Sequence, residues 1–301
     1  MKKFILTVLA FLSFGAYNSI MAQGQDDAAQ KNPNLNTAGK YTGNKKDGKM
    51  HGKGVYEWKN GDRFEGNFVN GQIDGYGRYS WVDGDVYQGD FRDGKQDGFG
   101  SAFYADRCNT YEGEWKNGKR NGHGKLTWAN GDTYEGEWVD DVRVGEGVFT
   151  AANGDKYVGH YENNQRNGYG TYYHNNGDVY AGQWVNGEKE GLGKYTYANG
   201  NVYEGQFCNS YIEGQGTFVW ASGATYTGQF KEDMRNGVGT YTTASGKVIA
   251  GNWKDNPSLA ISMRTFSHRD NPDHFSTRSY TKKTKTCKLF LKNNKEISKR
   301  A

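Results

Sequence analysis

The chain has 301 residues, with 44 glycines, 3 prolines and 15% aromatic side chains, 22 of them tyrosine. Leu, Ile and Val are too sparse for an aliphatic core, and the abundant aromatics argue against disorder, which lacks them; stacked rings burying roughly 150–250 Å² each can serve instead. The net charge of +4 averages unlike regions: +2 over residues 1–40, −6 over 41–257 and +8 over 258–301.

The chain opens with Met-Lys-Lys, an apolar run over Phe4–Ala16 and a small-residue site ending at Ala22. That is the three-part pattern of a secretory signal peptide, so residues 1–22 are expected to be removed on export to the periplasm, the envelope or the medium. The run is too short to span a bilayer core, which needs roughly 20 residues, and no transmembrane segment is expected in the mature chain. Residues 23–40 read as a linker.

From Tyr41 the sequence repeats. Units begin at Tyr41, Phe64, Tyr87, Tyr111, Tyr134, Tyr157, Tyr180, Tyr203 and Tyr226, each 23 residues except the 24-residue unit at Tyr87, and a partial unit follows from Ile249 to Pro257. Glycine holds the third, twelfth and fourteenth positions of every unit, and an aromatic holds the fifth in all but the first, where Lys45 stands. In the unit at Tyr111, alternation along an extended chain puts Tyr111, Gly113 and Trp115 on one face and Glu112 and Glu114 on the other. Gly122, Gly124, Leu126 and Trp128 follow the same rule. Asn117-Gly118 between the two segments is a hairpin signal, since both central residues of a type I′ turn need positive φ. Asn130-Gly131 marks the passage to the next unit. Proline is absent from the repeats, as unbroken hydrogen-bond ladders require.

Each unit therefore reads as a hairpin with one ring-bearing face and one charged face. The glycines on the ring face are read as spacers that let rings lie across neighbouring strands. A lone hairpin is marginal in water, so stacking is the expected source of stability. The fold class expected is all-β: an elongated, single-layer antiparallel sheet of stacked hairpins, a β-solenoid-like ribbon over 41–257. Cys108 and Cys208, four units apart, should lie roughly 40 Å from each other and not pair.

The pattern Tyr-x-Gly-x-Trp-x-x-Gly-x-x-x-Gly-x-Gly over residues 41–248 resembles the MORN repeat family. That resemblance implies a scaffold, often self-associating, and raises phospholipid head groups as an alternative ligand. Asp141, Asn164, Ser210 and Asp233 depart from it, replacing the eighth-position glycine, and small irregularities are expected there.

Chemistry is hard to find. Gly43–Met50 imitates a phosphate loop, but Met50 stands where a Ser or Thr would hold Mg²⁺ and no helix follows. The recurring acids, among them Glu112, Glu114, Glu135 and Glu137, read as a solvated face, and the acids after the turns, such as Asp62, Asp132 and Asp155, as partners of their own turn backbone. The histidines have no metal spacing, no nucleophile motif is present, and no catalytic, cofactor or metal residue is assigned. The candidate binding face is the aromatic one: Tyr111, Trp115, Trp128, Tyr134, Trp138, Tyr157, Tyr180, Trp184, Tyr203 and Trp220. The expectation is a non-enzymatic exported scaffold that holds protein partners, or copies of itself, through this groove or its strand edges. The alternative is a membrane-surface module using the repeats or the basic tail 258–301, expected to be largely disordered or weakly ordered, on anionic lipid. Nucleic acid is not expected.

Overall fold

A computed structural model describes residues 38–256. The expected signal peptide, most of the expected linker and the basic tail 258–301 lie outside the described residues. Among the described residues nineteen strands follow one another in chain order. They are β1 (Gly39–Lys46), β2 (Lys49–Trp58), β3 (Arg63–Val69), β4 (Gln72–Ser80), β5 (Val86–Arg92), β6 (Lys95–Tyr104) and β7 (Asn109–Lys116). Next come β8 (Lys119–Thr127), β9 (Thr133–Val139), β10 (Val142–Thr150), β11 (Lys156–Glu162), β12 (Gln165–Tyr173) and β13 (Val179–Val185). The last are β14 (Glu188–Thr196), β15 (Val202–Cys208), β16 (Tyr211–Val219), β17 (Thr225–Lys231), β18 (Met234–Thr242) and β19 (Val248–Asn256). Each strand pairs antiparallel with the next, giving one open meander, as the repeat pattern predicts.

The turns explain the order. Within a unit, Lys116 pairs with Lys119 across Asn117 and Gly118, whose φ values of 52° and 84° make a two-residue hairpin. Between units the loop is longer: Trp128 N–H donates to Asp132 O and Gly131 N–H to Trp128 O.

One feature of the alternation is corrected by the structure. The pairing of β7 with β8 shifts between Gly113–Gly124 and Trp115–Arg120, a bulge that every complete unit repeats. Gly122 sits in it at φ 76°, and a Cβ there would meet the Glu114 carboxylate 2.7 Å away, on the charged face. The twelfth-position glycine is therefore a bulge residue, needed for its left-handed backbone, and not a spacer beneath the rings.

The third- and fourteenth-position glycines are the spacers. A Cβ on Gly170 would stand 2.3 Å from the Tyr157 hydroxyl oxygen, and one on Gly159 would stand 2.5 Å from Gly170 Cα. The Tyr157 ring lies flat over the paired glycines of two strands, and its hydroxyl donates to His160 O at 3.1 Å, in the bulge. The same reach recurs from Tyr111 to Glu114 O and from Tyr180 to Gln183 O.

Candidate binding surface

The rings join into a continuous seam. Tyr111 meets Trp115 edge-on at 5.2 Å and Trp138 of the next unit at 5.6 Å. Tyr134 continues to Trp138 and Tyr161, Tyr157 to Trp184, and Tyr203 to Phe207 and Phe230. Edge-to-face contact matches the quadrupoles of the rings. The indole N–H groups of Trp115, Trp138 and Trp184 each reach back 3.2 Å to the carbonyl of a glycine in the preceding unit.

This seam decides where the candidate binding residues lie. Tyr111, Trp115, Tyr134, Trp138, Tyr157, Tyr180, Trp184 and Tyr203 are buried, against one another and against backbone. Trp128 and Trp220 are half-buried at the rim of the seam. The structure thus brings all ten onto one face, but as the core of the ribbon, with only the rim rings accessible to another molecule. Burial pushes the Tyr111, Tyr134, Tyr157 and Tyr180 hydroxyls well above the usual phenol range, so they remain neutral donors.

The tenth position, which sequence reasoning passed over, closes the seam. Arg120, Arg143, Arg166 and Arg235 are buried. The Arg120 and Arg166 guanidinium carbons lie 4.3 Å from the Trp138 and Trp184 ring centres, and that of Arg235 lies 4.5 Å from Trp253. A planar, weakly hydrated cation stacked on a ring is a tolerable core residue.

The four departures from the repeat pattern are links between units. Asp141 Oδ1 accepts from both Arg120 N and Arg120 Nε, and Asn164 Oδ1 from Arg143 N at 2.8 Å. Ser210 Oγ accepts from Lys189 N and Asp233 Oδ1 from Ile212 N. In each case the eighth-position side chain holds the tenth-position N–H of the preceding unit. The expected irregularity is instead one motif, built four times.

The acids after the turns also cross between units. Asp132 takes its own turn's Asn130 side chain and, through Oδ1, the Ala152 N–H of the next unit. Asp178 holds Ala198 N–H and the Tyr195 hydroxyl. The fourth-position residues likewise have structural partners: Glu114 accepts from His123 N at 2.9 Å, and Gln183 from Leu192 N at 2.9 Å, pinning the bulge.

Besides the rim rings, the face opposite the rings is accessible among the described residues. It carries Tyr76, Phe99, Tyr169, Leu192 and Val238 exposed at the thirteenth position. It also holds a depression of about 250 Å³ lined by Gln88, Ser101, Phe103, Glu112 and Lys125. Among the described residues no group of three or more His, Cys, Asp or Glu side chains is arranged to hold a metal ion. No helix among them is long and apolar enough to cross a membrane. Cys208 is a free cysteine and so does not pair with Cys108. Its thiol is pushed up, first by the Glu190 charge.

Fold and surface define an all-β repeat protein whose rings hold its own units together. The MORN repeat profile matches residues 41–63, 64–86, 87–108, 111–133, 134–156, 157–179, 180–202, 203–225 and 226–248. The chain belongs to the MORN repeat family. No curated protein matches it. Among solved structures it is similar to the TCP10 domain of Danio rerio CPAP in complex with a peptide of Danio rerio STIL. That likeness has 17% identity and a TM-score of 0.40, covering 68% of this chain and 98% of that one. The same domain without peptide gives 14% identity and a TM-score of 0.35, over 66% of this chain and 99% of that one. The SAS-4 (dCPAP) TCP domain of Drosophila melanogaster, with a proline-rich motif of Ana2, gives 10% and 0.24, over 74% and 96%. These likenesses are too distant to bear on function.

Proposed function

We propose that the protein is an exported, non-enzymatic scaffold that holds protein partners along its ribbon. The observation that carries this reading is the division of labour among side chains: rings, arginines and turn acids are occupied in joining repeats. Among the described residues, an extended face and the outer edges of the two terminal strands, β1 and β19, carry no partner strand. Partners would meet the rim of the aromatic seam at Trp128 and Trp220, or add a strand to a terminal edge. Export rests on the leader at residues 1–22.

The test uses the full chain as bait against envelope and secreted fractions, followed by titration with each purified partner. Saturable binding that falls in Trp128→Ala/Trp220→Ala, or on placing proline in β19, supports the reading. Turnover of a small-molecule substrate, or absence of any saturable partner, overturns it. N-terminal sequencing of the exported protein should begin after Ala22.

A second reading follows from the 11 Lys and Arg against 3 Asp and Glu in residues 258–301. Such a tail suits an anionic membrane surface. Co-sedimentation with phosphatidylserine vesicles should be lost on removing 258–301; binding that survives would place the lipid site on the repeats.

A further inference from the structure

One cysteine stands where the repeat uses glycine. Gly84, Cys108 and Gly131 hold the same place in three successive turns between units. Each comes just before a side chain that reaches over to the next unit: Asp85 to Ala105 N, Asn109 to Ala129 N, and Asp132 to Ala152 N. The two glycines sit at φ 98° and 96°, and Cys108 at 54°. Asn and Asp take that left-handed region readily; a cysteine there needs something to hold it. The unit that carries Cys108 is also the one with an extra residue, so this turn is built differently from its neighbours.

Cys108 is disulfide-bonded. Cys208 is free. It ends β15 at the hairpin edge of the ribbon, eight strands from β7 and on the opposite long edge from the β6–β7 turn. The sequence holds three cysteines, and the third is Cys287, in the basic tail. We infer that Cys108 and Cys287 are joined within one chain, a link that fastens the tail to the third repeat.

The chain is long enough to make the link. β19 ends at Asn256, which pairs with Arg235 at the hairpin edge, twelve strands from β7. Twelve steps of ~4.8 Å along the ribbon, and one strand length of ~30 Å across it, give a path of about 65 Å. The 30 residues from 257 to 286 reach at most about 100 Å. The tail would therefore run back over more than half of the ribbon. Residues 258–301 carry +8 and residues 41–257 carry −6, so tail and ribbon attract each other. Forming the link is an oxidation. Each thiol gives up its proton, the two Sγ atoms bond, and two electrons reduce an external disulfide, which leaves as two thiols. In a cell such an oxidant belongs to an oxidising compartment, which the export reading supplies. With purified chain oxidised glutathione serves, so the link is testable whether or not the leader acts.

The test equilibrates the full chain in a buffer of reduced and oxidised glutathione and blocks free thiols with iodoacetamide. The monomer from a non-reducing gel is then digested with trypsin and weighed by mass spectrometry. Cleavage after Arg107, Lys116, Lys285 and Lys288 should release Cys108–Lys116 joined to Thr286–Lys288, a species that dithiothreitol splits. Cys208 should carry the only alkyl group. The free-thiol count should rise from one in the wild type to two in Cys108→Ser and in Cys287→Ser. A Cys108 that is alkylated or carries glutathione in the folded chain overturns the link. So does Cys108 joined to Cys208, or joined only in a disulfide dimer. A linked chain that captures no partner overturns the scaffold reading alone; an unlinked chain that captures one overturns the link alone.

Discussion

Replacing Gly170 by alanine adds one methyl group where the Tyr157 ring lies. The new Cβ would sit 2.3 Å from the hydroxyl oxygen, 2.5 Å from Cζ and 2.6 Å from Cε2. The ring cannot simply swing away: it is fully buried, wedged edge-on against Tyr161 at 5.3 Å and Trp184 at 5.4 Å, with its hydroxyl bonded to His160 O. Overpacking of this kind costs about 1–3 kcal/mol, and the rigidity of the site places the expected loss near 3. Gly168→Ala is the control. It has φ 78° but its nearest neighbour is His160 Cβ at 3.4 Å, so only backbone strain of about 1 kcal/mol is expected. The decisive comparison is Gly170→Ala in a Tyr157→Ala background. Without the ring the three atoms nearest the added methyl are gone, and alanine in a strand should be neutral or stabilising by about 0.5–1 kcal/mol. The cost is therefore removed or turned into a gain, a coupling of about 3–4 kcal/mol. Urea unfolding followed by tryptophan fluorescence gives the totals. Amide exchange at Thr171 and Tyr172 localises them, since stability in a stacked array is local. An equal cost of Gly170→Ala in both backgrounds would refute the claim that ring-over-glycine contact sets the spacing.

Three further outcomes follow from the links between repeats. Asp141→Gly keeps a residue suited to φ 72° but removes the acceptor of Arg120 N and Nε, so about 1–3 kcal/mol of stability should be lost in urea titration. At the bulge, Glu114→Gln should be neutral within about 0.5 kcal/mol, because Gln183 makes the same bond, whereas Glu114→Ala should cost about 1. Burial, helped by the Lys189 charge, pushes the His174 imidazole down to about 4. The unfolded chain binds that proton near 6.5 and the folded chain does not, so stability should fall as pH drops from about 6.5 to about 4, by up to roughly 3 kcal/mol. His174→Tyr, which places there the residue found at Tyr197, should flatten that part of the pH–stability curve in thermal unfolding scans.

The strands, the hairpin turns and the ring face were legible because each leaves a period in the sequence: aromatics two residues apart, and Asn-Gly at fixed offsets. The bulge was not. Gly122-His123-Gly124 looks like simple alternation, and a positive φ at Gly122 has no signature distinct from that of a spacer. The buried arginines were missed because charge normally signals solvent, and nothing in one unit shows that Arg120 lies over Trp138 of the next. Asp141 and Ser210 looked like blemishes for the same reason: their partners stand 21 residues away in the preceding repeat. The aromatic face was located correctly, but its accessibility depends on how tightly neighbouring rings close over it, a property of packing between units that spacing within a unit does not carry.

The central claim is that the molecule is a sum of equivalent stacked hairpins. Deleting residues 64–86, one whole unit, joins Arg63 to Tyr87 with the register of rings and turns preserved. Small-angle X-ray scattering and circular dichroism of that variant should show a folded ribbon of unchanged cross-section, shorter by about 10 Å. A chain that unfolds, or keeps its length, would contradict the account.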